Sequence, residues 1–115
     1  MIAMNYEGND FYCDVALKGA ADLKKVYESD QVLAFHHTRP HWPVHIVVVP
    51  KKHILSFATF SDADSKILTE IMVVLRKIAG EVEKTEGGSR ISTNLGKYQD
   101  TKHLHFHVSS GDPLR

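Results

Sequence analysis

His103-Leu104-His105-Phe106-His107-Val108-Ser109 alternates imidazoles with apolar side chains. Strict alternation predicts a β-strand, because successive side chains on a strand point to opposite faces. Leu104, Phe106 and Val108 then face a core, and His103, His105 and His107 share the other face. Burial accounts for the first set. It gives no reason to line the second with three titratable rings, so the chemistry is expected there.

Working outward, Val44 to Val49 reads as a strand ending at Pro50. Lys24 to Ser29 and Val32 to His36 read as two more, with Ser29-Asp30 as the turn between them. Thr38-Arg39-Pro40-His41-Trp42-Pro43 is a stiff loop, since each proline fixes its own φ and restricts the residue before it. A helix is expected from Ser61, where Asp64 supplies a variant of the capping box. Ile67, Leu68, Ile71, Val74, Leu75, Ile78 and Val82 keep the spacing of one helical face, and Gly87-Gly88 is the stop. Ser89 to Asn94 reads as a strand and Leu95 to Lys102 as a loop. Met1 to Asp10 reads as a loose arm, and Phe11 to Leu17 as a short helix or strand. About five strands and one long helix predict an α+β fold with a mainly antiparallel sheet. Residues 1–115 read as one domain without repeats.

Composition narrows the function. Of 115 residues, 43% are hydrophobic and 24% charged, ordinary values for a soluble globular chain. Lys+Arg and Asp+Glu balance at 14 each, so no general electrostatic pull on nucleic acid is expected, while a local pocket can still hold a small phosphate ligand. Cys13 is the single cysteine, which excludes an internal disulfide and a thiolate zinc cluster and fits a reducing compartment. No apolar run reaches the roughly 18 residues of a membrane span, and no secretory start is present. A cytoplasmic location without a membrane partner is the expectation.

The eight histidines are unevenly placed: His36, His37, His41, His45 and His53 form one group, and the alternating three form the other. Three chemistries compete for the triplet. Metal binding is one, because His-x-His on a strand can chelate an ion. Neighbouring members sit roughly 6.6 Å apart along a strand and the outer pair about 13 Å, which disfavours a single ion held by all three. Nucleophilic catalysis at phosphorus is the second: a neutral imidazole is a competent nucleophile when its other nitrogen holds a proton in a fixed hydrogen bond, and flanking rings can donate to phosphate oxygens. The third is a structural or pH-sensing polar ladder.

The triplet with its apolar spacers resembles the histidine-triad (HIT) signature. The resemblance extends to Leu33-Ala34-Phe35-His36, to the proline-bearing loop, and to His45-Ile46-Val47-Val48-Val49-Pro50-Lys51-Lys52-His53-Ile54, and it covers roughly Phe11 to Ser109. It implies a HIT-like α+β fold whose sheet continues across a homodimer, and attack on the α-phosphate of a nucleotide or nucleoside phosphate without a cofactor or metal. It makes His105 the nucleophile that becomes a nucleotidyl-histidine. His103 and His107 orient the site or assist, His45 supports them, and Asn94 and Gln99 offer amide hydrogen bonds to the phosphate or leaving group. Phe11, Tyr12, Phe35, His36, His37 and Thr38 fall in the nucleoside-binding part.

Three positions depart from the family pattern. His37 stands where an acid commonly binds the ribose, Asp100 where a serine often contacts the leaving group, and Asp10 with Cys13 where some relatives carry a zinc-binding Cys-x-x-Cys. Phosphoramidate, nucleotide ester and dinucleoside polyphosphate substrates all remain open. So do a non-catalytic nucleotide-binding role and a metal-dependent enzyme.

Overall fold

Val44–Pro50 (β3) is apolar on both faces, as expected of a strand covered on both sides, and it lies at the centre of the sheet. The structure, a computed structural model, describes residues 23–115. The arm, the 11–17 segment, Phe11, Tyr12, Asp10 and Cys13 lie outside the described residues. Around β3 run Lys25–Glu28 (β1), Val32–His36 (β2), Arg90–Ser92 (β4) and Phe106–Ser110 (β5), in the order β1-β2-β3-β5-β4 with every pairing antiparallel. Among the described residues one α-helix, Ser65–Glu86 (α1), enters through a 3-10 turn at Asp62–Asp64. The fold is therefore α+β, a five-stranded antiparallel sheet with one long helix.

Alternation along the strands sorts side chains onto two faces. Val32, Ala34, Ile46, Val48, Phe106 and Val108 face α1 and pack with Ile71, Val74, Leu75, Ile78, Ala79 and Val82. Leu33, Phe35, Val47 and Val49 form a second buried cluster. His45 follows the parity of Val47 on β3, and His107 sits opposite Val47 in the β3–β5 register. The site thus occupies the face away from the helix.

The helix ends follow local chemistry. Asp64 is buried and accepts the Ser61 backbone N–H at 3.1 Å and the Lys52 ammonium at 2.5 Å, which holds its carboxyl below the usual range. Gly87 closes the helix at φ 88°, a left-handed conformation suited to glycine, and its N–H bonds Glu83 at 2.8 Å. Glu70 of α1 takes hydroxyl bonds from Tyr27, at 2.8 Å, and from Ser29, tying the β1–β2 hairpin to the helix.

The final strand is shorter than alternation predicts. It begins at Phe106 rather than His103, because the preceding backbone is bonded elsewhere. The Leu104 N–H goes to the Ile54 carbonyl at 2.6 Å, the His103 carbonyl accepts from the His105 ring, and the His105 carbonyl accepts the Thr93 hydroxyl at 2.7 Å. That last bond also explains why β4 stops at Ser92 instead of reaching Asn94. Leu104, Phe106 and Val108 nevertheless all enter the helix-side core, as the alternation predicts, and His105 and His107 line one cleft while His103 is buried.

Candidate active site

His45 and His107 meet across β3 and β5. Their rings are joined by a 2.8 Å bond between His45 Nε2 and His107 Nδ1, and the backbone N–H of His41 donates to His45 Nδ1 at 3.0 Å. A neutral ring has one donor and one acceptor nitrogen, so the protons can be placed. His45 accepts at Nδ1 and therefore carries its proton on Nε2, which donates to His107. The proton of His107 then sits on its own Nε2. Burial, reinforced by neighbouring imidazoles, pushes His45 down to about 4 and His107 down to about 3, so both rings are neutral near pH 7.

His105 is oriented by its own chain. Its Nδ1 lies 2.8 Å from the His103 carbonyl, which can only accept, so Nδ1 bears the proton and Nε2 is the basic nitrogen. The rings of His105 and His107 stand edge to face with centroids 4.9 Å apart. His103 is fully buried and donates from Nε2 to the Pro50 carbonyl at 2.8 Å, pinning the segment that presents His105 onto the end of β3.

A cleft of about 400 Å³ opens over this cluster. Its lining includes His37, His45, His105, His107 and Asn94 of the residues singled out from the sequence, together with Asp100. His37 stacks on His45 at 4.4 Å between ring centroids and accepts the Arg39 N–H on Nδ1 at 2.9 Å, which leaves a donor at Nε2. Burial pushes His37 down to about 4, with neighbouring histidines and arginines adding to the effect.

Several expected residues lie elsewhere. His103, Gln99, Phe35, His36 and Thr38 are absent from the lining. Gln99 is buried and spends its amide N–H on the Leu55 carbonyl at 2.7 Å, anchoring the 94–102 loop. Phe35 packs into the second apolar cluster, and His36 is exposed at the end of β2. Among the described residues no group of three or more His, Cys, Asp or Glu side chains is arranged to hold a metal.

The structure adds Arg39, Trp42, Tyr98 and Arg115 to the lining. Trp42 is held from outside it: the Arg90 guanidinium lies 4.2 Å from the indole centroid and donates to the Gly111 carbonyl at 2.6 Å and the Ser109 hydroxyl at 3.3 Å. A tryptophan between histidine and proline is a visible signal, but its arginine partner emerges only once β4 lies beside β5. Gly111 completes this corner at φ +94°, where an added Cβ would fall 2.7 Å from Pro43 Cγ. Gly111→Ala should therefore cost about 1–3 kcal/mol, from backbone strain and the clash, visible as a lower urea midpoint.

The sheet with one covering helix, and the imidazole relay on its open face, define a protein of the histidine-triad class. The HIT domain model matches residues 18–114. An uncharacterized 13.2 kDa HIT-like protein of Azospirillum brasilense is 35% identical over 119 residues, covering 98% of this chain and 94% of that protein. Among solved structures, a histidine triad protein from Clostridium difficile is 38% identical with a TM-score of 0.76, covering 96% of each chain. A HIT family hydrolase from Legionella pneumophila is 30% identical with a TM-score of 0.77, covering 93% of this chain and 96% of that one. The chain belongs to the HIT family.

Proposed function

We propose that the protein is a nucleotide hydrolase or transferase that attacks the α-phosphate of a nucleoside phosphoramidate, nucleotide ester or dinucleoside polyphosphate through His105. The observation that carries this reading is the His105 Nδ1 to His103 carbonyl bond, which makes Nε2 the nucleophilic atom. In the first step the Nε2 lone pair forms an N–P bond while the bond from phosphorus to the leaving group breaks. The leaving group departs with that electron pair and takes a proton from solvent. The resulting imidazolium is steadied by its Nδ1–H on the His103 carbonyl, and the Nε2–H of neutral His107 donates to a phosphate oxygen. Water then attacks phosphorus, the N–P electrons return to Nε2, and the nucleotide leaves with loss of a proton. Asn94 adds an amide at the cleft wall, while His103 and Gln99 act by positioning backbone.

Multiple turnover of adenosine phosphoramidate, an adenylylated amine or a dinucleoside polyphosphate is the expected result. Protein denatured at alkaline pH during turnover should carry one nucleotidyl adduct by intact mass. Tight nucleotide binding with no turnover of any of the three would replace this reading with a binding role.

The homodimer implied by the family resemblance would have its seam at β4. Arg90–Ser92 is an exposed edge strand, and Ile91, 52% exposed, borders a groove with Met72, Leu75, Ala79 and Gly80 of α1. Light scattering should give twice the chain mass, and Ile91→Lys should shift the protein to monomer at micromolar concentration. A wild-type monomer would remove the dimer from this reading.

A further inference from the structure

The arginines of the cleft differ from the lysines around the sheet. Lys25 and Lys51 pair with Glu28, and Lys52 pairs with Asp64. Arg39 and Arg115 line the cleft and form no salt bridge among the described residues, although Asp100 lines the same cleft. The tail carrying Arg115 is latched onto the 38–43 loop by the Leu114 N–H on the His41 carbonyl at 2.8 Å. Arg115 Nη2 reaches the Arg39 carbonyl, also at 2.8 Å, and its other guanidinium donors are not used in this contact. Two cations are thus held in one neighbourhood with no ion pair within 4 Å among the described residues, an arrangement that a bound anion would relieve.

Their placement differs from that of the reacting phosphoryl group. Both arginine charges bear on His37, and that of Arg115 also bears on His45, while the groups acting on His107 are His105 and His45. The pair therefore belongs to the His37 end of the cleft, and the His37 ring centroid is 6.3 Å from that of His107. The Nε2–H of His37 adds a neutral donor there.

We propose that Arg39, Arg115 and His37 form an anion subsite, and that the substrate carries a second anionic group besides the phosphoryl group attacked by His105. The proposal rests on the reading of His105 as nucleophile. The second anion is a phosphate or carboxylate, borne either by the sugar or by the leaving group.

The test compares four substrates in wild type, Arg39→Gln and the Arg39→Gln/Arg115→Gln double variant. The first pair is adenosine 5′-phosphoramidate without and with a 3′-phosphate. The second is an adenylylated amino acid with its carboxylate free or amidated. The charged member of at least one pair should have a kcat/KM about tenfold higher, the scale of one charge-assisted contact, and the advantage should shrink with salt. Preference in the first pair locates the anion on the sugar, and preference in the second locates it on the leaving group. In the double variant the ratio should fall towards one. Arg39→Gln alone should lower it without loosening the tail, because the Arg39 contact to Arg115 uses its backbone carbonyl. No preference in either pair, or a preference that survives the double variant, overturns the subsite. If none of the four turns over, and a dinucleoside polyphosphate does not either, the catalytic reading fails. Calorimetry of adenosine 3′,5′-bisphosphate against adenosine 5′-monophosphate and adenosine 5′-diphosphate then reads the subsite directly. Tighter binding of a second-anion ligand, lost in the double variant, supports the subsite, and equal binding of all three overturns it.

Discussion

His105→Ala should lower turnover of adenosine phosphoramidate by about a thousandfold or more and abolish the nucleotidyl adduct, because a backbone carbonyl fixes the His105 proton on Nδ1 and leaves Nε2 as the basic nitrogen of a cleft-lining ring. His107 presents a proton at Nε2, His45 uses both ring nitrogens within the relay, and His37 accepts a backbone N–H at Nδ1. His103 is fully buried with Nε2 on Pro50. Only for His105 does the protein place the proton on Nδ1 by a backbone carbonyl while the ring lines the cleft. The fold should survive: the change removes a buried ring that borders the cleft and leaves the β5 ladder from Phe106 onward untouched. Thermal unfolding of the variant provides the control. A well-folded His105→Ala protein retaining more than about a tenth of wild-type kcat/KM would mean that the nucleophile lies elsewhere.

The sequence made the class of fold legible because its signals were local. The α1 face from Ile67 to Val82, the glycine stop and the apolar run of β3 are all periodic over neighbouring residues. Strand ends were less legible, since they depend on partners distant in sequence. Nothing near His103 announces that the Leu104 N–H will find Ile54, or that Thr93 will take the His105 carbonyl. The same limit applies to the site. The triplet marked the chemically unusual region and alternation sent its apolar spacers into the helix-side core, but the partners of the rings were not legible: His103 and His105 bond backbone carbonyls, and His107 bonds the His45 ring. Gln99 looked like a ligand amide by type and spacing, and its bond to Leu55 requires the 94–102 loop to fold back. Arg39 and Arg115 gave no sequence signal, because 76 residues separate them and an exposed arginine is unremarkable.

Acidification from pH 6.5 should destabilise the protein well before its carboxylates titrate. His37, His45 and His107 protonate near the ordinary 6.5 in the unfolded chain, but only at about 4, 4 and 3 in the folded one, chiefly because they are buried. Between these limits the unfolded state binds more protons, so stability rises with pH through the window and falls as pH drops. Above about pH 6.5 all three are neutral in both states, and their contribution no longer changes. Each ring can remove up to about 1.4 kcal/mol per pH unit inside the window. The contacts among the rings oppose simultaneous charging: His37 stacks on His45, and His45 bonds His107. Urea midpoints measured from pH 7.5 to 5 isolate this effect, because Glu28, held down to about 2 by Lys51 and Lys25, begins to contribute only nearer the ordinary carboxylate range. A steady fall across that interval is expected. His37→Phe, which keeps a ring against His45 but removes a titrating nitrogen, should make the fall shallower. A midpoint unchanged between pH 7 and 5 would mean that the folded rings accept protons as readily as the unfolded ones, and the neutral imidazole relay would have to be abandoned.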